Sequence, residues 1–198
     1  MKKNTAAWAR ELARKHLETP LPRRWAHTQG VARQARTLAP ILGDQADLLE
    51  AAAWLHDIGY APNLVDTGFH PLDGARYLRD QTTACNALCR LVAQHSCAIL
   101  EARERGLAET LALEFPQPDP ELSRALTYCD MTTTPDGTLV EVEARLAEIQ
   151  ERYGPTDVVT RFIRNAWPHL VGAVNEVHQR SSREEQSVPH VHDRRRDT

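Results

Sequence analysis

The stretch Ala51-Ala52-Ala53-Trp54-Leu55-His56-Asp57-Ile58-Gly59 decides how this chain is read. An apolar helical run leads straight into an imidazole and a carboxylate, and Gly59 then ends the run. Burying an ionised carboxylate at the end of an apolar helix without a partner is costly. Asp57 must therefore meet a cation, a strong donor or a metal.

On either side of this stretch apolar residues recur at helical spacing, and no alternating run of β-branched residues is long enough for a strand. The chain reads as all-α. A first helix spans 5–18 and stops before Pro20 and Pro22. A second follows Pro22, carries Trp25, His27, Val31 and Leu38, and ends between Pro40 and Gly43. Asp44 suits the N-cap of a third helix over 45–58, whose last turn would hold His56 and Asp57. Pro71 fits the first turn of a fourth helix reaching residue 80, with His70 at its entrance. A fifth, over 83–102, places Leu88, Leu91, Val92 and His95 on one stripe. A polar connection with Pro116, Pro118 and Pro120 leads to a helix over 121–131 ending near Asp130, and Thr134-Pro135-Asp136-Gly137 reads as a turn. Helices over 140–153 and 155–179 follow, the second bent at Pro168.

With 198 residues, 41% of them apolar, the chain is long enough for one domain with a sizeable core. The reading is a single domain over 1–180, its chemical core about 23–131 and its C-terminal helices about 140–180, with a disordered tail from 181. A formal charge of −3 and a pI near 6.3 give no basic footprint for nonspecific nucleic-acid binding. No signal peptide or membrane span is legible, which points to a cytoplasmic protein. Cys85, Cys89, Cys97 and Cys129 lack C-x-x-C spacing and fit reduced core thiols. In the tail, His190-Val191-His192-Asp193 looks like a metal-binding scrap without a scaffold.

His27, His70, His95 and Asp130 also sit at helix ends or apolar helix positions. Each alone fits a hydrogen-bonded core residue. Together with His56 and Asp57 they would fill one core with imidazoles and carboxylates that have no apparent common partner, and a metal centre satisfies them all. Nitrogen and carboxylate ligands without cysteine suit iron, manganese, cobalt, nickel or zinc, and helical bundles build such centres from facing helices.

The order His27, His56-Asp57, Asp130 resembles the H…HD…D signature of the HD-domain superfamily of metal-dependent phosphohydrolases, and His56-Asp57-Ile58-Gly59 is similar to its HDIG form. His70-Pro71-Leu72-Asp73-Gly74-Ala75 and Gln94-His95-Ser96 resemble the additional histidine segments of the dinuclear subtype. The resemblance implies a helical bundle with the metal site in its core. It further implies one ion on His27, His56, Asp57 and Asp130, a second on His70 and His95 with Asp57 bridging, and catalytic roles for Asp57 and Asp130.

The same resemblance implies hydrolysis of a phosphomonoester or phosphodiester, nucleotide or other small phosphorylated substrate, by a metal-bound hydroxide. Two departures stand out. Tyr60 occupies a position where many relatives carry lysine, and Ser96 follows His95 where cyclic-dinucleotide phosphodiesterases of the HD-GYP type double the histidine. Arg23, Arg24 and Arg145 are candidate phosphate partners, though solvated helix faces are the favoured reading of each, and Thr132-Thr133-Thr134 could contact substrate but better suit turn caps. The alternatives left open are a mixed-valence diiron oxygenase on the same ligands and a non-catalytic ligand-sensing module.

Overall fold

The computed structural model describes residues 5–187. In chain order the helices are α1 (Ala6–Leu17), α2 (Pro22–Thr37), α3 (Ala39–Leu42), α4 (Ala46–Leu55), α5 (His70–Gln81), α6 (Asn86–Gln94), α7 (Ala98–Glu104), α8 (Ala108–Glu114), α9 (Pro120–Met131), α10 (Val142–Tyr153) and α11 (Val158–Ser187). Among the described residues there is no strand beyond an isolated bridge between Thr133 and Leu139. None of these helices is long and apolar enough to cross a membrane.

The fold is built around α4. Leu49 and every residue from Ala51 to Leu55 are buried, as an all-round apolar run demands. It packs against α1, α2, α6 and α9. The N-terminus of α1 is held by a local cap and by a tie to this centre. Trp8 N–H donates to Thr5 Oγ1 at 3.3 Å, a side-chain cap, and Ala6 N–H donates to Asp47 Oδ1 of α4 at 3.1 Å. A second apolar cluster, including Leu146, Ile149, Phe162 and Ile163, joins α10 and α11 to Met131 at the end of α9. The chemistry lies where these two clusters meet.

Several expected boundaries move. Asp44 caps nothing; it lies in the 3-10 turn Gly43–Gln45, and α4 starts only at Ala46. The helix expected over 83–102 is broken. After α6 the chain turns through His95–Cys97, with Ser96 at φ 47° and Cys97 at φ 62°, before α7 begins. A left-handed pair cannot lie within a right-handed helix, so the axis changes direction beside His95. The polar connection contains α8, which buries Leu111. Pro168 sits inside α11, and that helix runs past 181 to Ser187, where the sequence reading placed the end of order. The His190-Val191-His192-Asp193 segment lies outside the described residues. Cys89 and Cys129 are buried, Cys97 is half-buried and Cys85 is exposed, and all four are free thiols.

Candidate metal centre

Five segments deliver the six chemical side chains. His27 is in the second turn of α2, Asp130 in the last turn of α9, and His70 is the first residue of α5. His56 closes α4, and Asp57 follows it outside helical geometry at φ −100°, ψ 8°. His95 sits at the break after α6 with extended ψ of 151°. Leaving the helix at both points is what frees the adjacent side chains to turn inward.

The six side chains converge as two groups able to hold a metal, His27 with His56 and Asp130, and Asp57 with His70 and His95. In the first, His27 Nε2 lies 3.1 Å from Asp130 Oδ1, and His56 Nε2 lies 3.9 Å from the same oxygen. In the second, His70 Nε2 lies 3.2 Å from His95 Nε2. Asp57 touches both groups. Its Oδ2 is 3.3 Å from His56 Nε2 and its Oδ1 is 3.3 Å from His70 Nε2.

The hydrogen-bond network sets the tautomers of three imidazoles. Nδ1 of His27 faces the Thr134 carbonyl at 3.0 Å, that of His56 the Ala53 carbonyl at 2.9 Å, and that of His95 the Val92 carbonyl at 2.6 Å. A carbonyl only accepts, so each Nδ1 carries the hydrogen and each neutral ring turns an Nε2 lone pair inward. Those of His27 and His56 meet carboxylate oxygens, Asp130 Oδ1 at 3.1 Å and Asp57 Oδ2 at 3.3 Å. Acceptor against acceptor is repulsive unless something positive lies between, and His56 Nε2 is buried with no hydrogen-bond partner. Backbone carbonyls on the outer ring nitrogen are also how metal-binding histidines are usually oriented.

The electrostatics show the same demand for positive charge at His56 Nε2, which a proton meets where no metal is bound. Burial alone would pull His56 down, yet Asp57 and Asp130 push it up to about 9. Burial would raise Asp57, but Arg24 and His56 hold it well below the usual carboxylate range. Asp130 is likewise held low against burial, first by its contact with His27 and then by His56. In the second group His70 and His95 are both lowered, chiefly by burial, and so favour the neutral ring that a metal needs.

Supporting residues surround the cluster. Arg24 Nη1 donates to Asp57 Oδ2 at 2.7 Å. Tyr60 lies between that guanidinium, 4.0 Å from its ring, and the His70 ring stacked at 3.9 Å. The tyrosine is thus a flat wall that orients His70. Ser96 Oγ donates to Asp130 Oδ2 at 2.5 Å, a role its left-handed backbone makes possible and the sequence reading missed. Arg23 instead pairs with Asp136 at the surface. The hydroxyls of Thr132 and Thr133 bond the Tyr128 and Cys129 carbonyls, and that of Thr134 bonds Thr138, so all three serve the turn.

A cleft of about 610 Å³, open mouth included, leads to the cluster. Asp57, His70, His95 and Asp130 line it on one side, and α10 and α11 supply Arg145, Ile149, Arg152, Tyr153 and Phe162 on the other.

An all-α core that turns histidine lone pairs and aspartate oxygens onto common points defines a helical protein with a buried candidate metal centre. The family model for the HD domain matches residues 24–134, more than half of the chain, and the chain belongs to that family. This is a family of metal-dependent phosphohydrolase type, and the buried histidine and aspartate cluster fits a metal site. The matched segment ends before α10, so the far wall of the cleft lies outside it. Neither the curated proteins nor the solved structures contain a significant match.

Proposed function

We propose that the protein is a metal-dependent phosphohydrolase acting on an ester or anhydride bond of a small phosphorylated substrate, nucleotides among them. The observation that carries this reading is His56 Nε2, a buried lone pair without a partner, facing two carboxylates. His27, His56, Asp57 and Asp130 would hold one divalent ion, and His70 and His95 a second with Asp57 shared. Iron, manganese, cobalt, nickel and zinc all suit nitrogen and carboxylate donors. Such ions supply polarisation of a phosphoryl oxygen and acidification of a water.

The side chains divide the remaining work. Asp57 presents one oxygen to each group and so fixes their separation. Asp130 is steadied by Ser96, and its other oxygen stays turned to His27. Arg24 balances the charge of Asp57 at the cleft wall. No protein nucleophile is required. The net charge of −3 favours a small substrate met by a local cationic wall over a nucleic acid gripped by a basic face.

A screen of phosphorylated metabolites with manganese, iron or cobalt added tests the reading. Metal-dependent release of phosphate is expected from the wild type, and Asp57→Ala should abolish it while helical circular dichroism persists. Turnover at the wild-type rate in Asp57→Ala would remove the assignment. Retained iron with substrate-dependent oxygen uptake and no phosphate release would replace hydrolysis by oxygenation. A metal-loaded protein that binds phosphorylated compounds without turnover would favour the sensing module.

A further inference from the structure

Arg145, in the first turns of α10, is only 5% exposed, yet it lines the cleft opposite the histidines. Among the described residues its hydrogen-bond acceptor is Glu148, one turn further on. Its Nε is sealed from solvent with no acceptor at all. A guanidinium carries five N–H donors and keeps its proton under all ordinary conditions. Burying one with a single carboxylate partner leaves charged donors unserved, which is costly. Burial disfavours the Arg145 charge, and Asp130 and Glu148 are the anions that oppose the effect.

Glu148 is not exclusive to Arg145. Its Oε1 lies 3.5 Å from Arg152 Nε, and its side chain is 40% exposed. Two guanidiniums on one face of α10 therefore share one half-exposed carboxylate at the edge of the cleft. That arrangement has an unspent positive charge pointed at the place where a substrate must lie. An ordinary helix ion pair sits in water and contributes little. Arg145 does not fit that description, because it is buried and faces a cavity. Next to it the same wall is apolar and aromatic, formed by Ile149, Tyr153 and Phe162.

We propose that Arg145 is a substrate-binding residue that receives a phosphoryl oxygen beside the histidine and aspartate cluster, with Arg152 as a second cation. The organic part of the phosphate ester then lies against Ile149, Tyr153 and Phe162. Glu148 is the resident counter-ion with which the phosphate competes. The identity of the anion rests on the phosphohydrolase reading; the existence of an anion site does not.

The test uses the metal-loaded full chain, with inorganic phosphate binding followed by calorimetry and p-nitrophenyl phosphate turnover by absorbance. Arg145→Gln should weaken phosphate binding about 10- to 100-fold, the loss expected for hydrogen bonds to a charged group. KM should rise by a similar factor while kcat and metal content change much less. Arg145→Lys should recover part of the affinity, and Glu148→Gln should tighten phosphate binding by removing the competitor. Wild-type phosphate affinity and KM in both Arg145 variants would overturn the proposal, as would a wild type that binds no phosphate. A protein that binds phosphate through Arg145 but hydrolyses no ester would keep this inference and remove the hydrolase reading. If Arg145→Gln fails to fold, Arg145→Lys and Glu148→Gln carry the test, and unchanged affinity in both would overturn it.

Discussion

Asp57 Oδ1 lies 3.3 Å from His70 Nε2, while the other oxygen of the same carboxylate faces His56. One carboxylate with an oxygen on each group is the arrangement a shared ligand requires. Elemental analysis should find about two ions per chain, a number that follows from two donor groups of the kind divalent ions take. His70→Ala or His95→Ala should lose one ion and keep the other. Asp57→Ala should lose the ion of the second group, which is left without an anionic oxygen, and weaken the other, which keeps Asp130. One ion in wild type and histidine variants alike would reduce the centre to a single site.

Gly59 sets the distance between the two groups. A Cβ there would strike the His70 carbonyl oxygen and come within 2.6 Å of Gly74 N, both of them backbone atoms that cannot swing aside. The turn carrying Asp57 can approach the start of α5 only because Gly59 has no side chain. Gly59→Ala should therefore destabilise the protein by about 1–3 kcal/mol, as overpacking usually does. It should also push His70 away from Asp57. Urea unfolding checks the first effect and metal content the second, where loss of the second ion alone is expected. Retention of two tightly bound ions would show that α5 does not need this contact.

The residues that were legible in the sequence are those whose position follows from a local pattern. The apolar stripe of α4 ends at His56 and Asp57, and Pro120 and the apolar face of α9 place Asp130 in its final turn. The break after α6 was hidden because its left-handed residues are Ser96 and Cys97, with no glycine to mark them. For α8 the signal was too thin, since Leu111 turns inward while Leu113 remains exposed. Arg24 appeared as one of several ordinary helix arginines. Its bond to Asp57 joins residues on different elements and depends on how α2 meets the end of α4, which no local spacing encodes. Arg145 of α10 was among those arginines, and the cleft wall it forms with Ile149 and Tyr153 is hidden for the same reason.

Ser96 tests whether backbone strain serves the centre. Its hydroxyl holds Asp130 Oδ2 from a conformation, φ 47°, that non-glycine residues rarely adopt. Ser96→Ala keeps the strain and loses the hydrogen bond, whereas Ser96→Gly loses both. Alanine should cost about 1.5–3 kcal/mol, the range for a hydrogen bond to a charged group. Glycine should recover about 1 kcal/mol of that by relieving the strain. Thermal unfolding of the metal-free variants measures the pair. Equal stability of the two would mean that the left-handed turn carries no strain worth relieving.

His16 offers a pH dependence away from the candidate metal centre. It bridges α1 to α5, with Nε2 3.0 Å from the Tyr77 hydroxyl and Nδ1 3.4 Å from Asn63 Oδ1. Burial lowers its pKa from the ordinary 6.5, and the Asn63 contact only partly opposes this. A histidine whose folded pKa lies below its unfolded value binds a proton more readily when the chain is unfolded. Its contribution to stability is therefore complete above about 6.5 and is lost as pH falls through the lower folded value. In metal-saturated protein the other buried histidines should be held by the ions, so the difference between wild type and His16→Gln isolates this group. The wild type should have the higher melting temperature at pH 7.5, and the gap should narrow on acidification below about 6.5. A gap that widened in acid would mean that the bridge holds a protonated imidazole and that the sign of the shift is reversed.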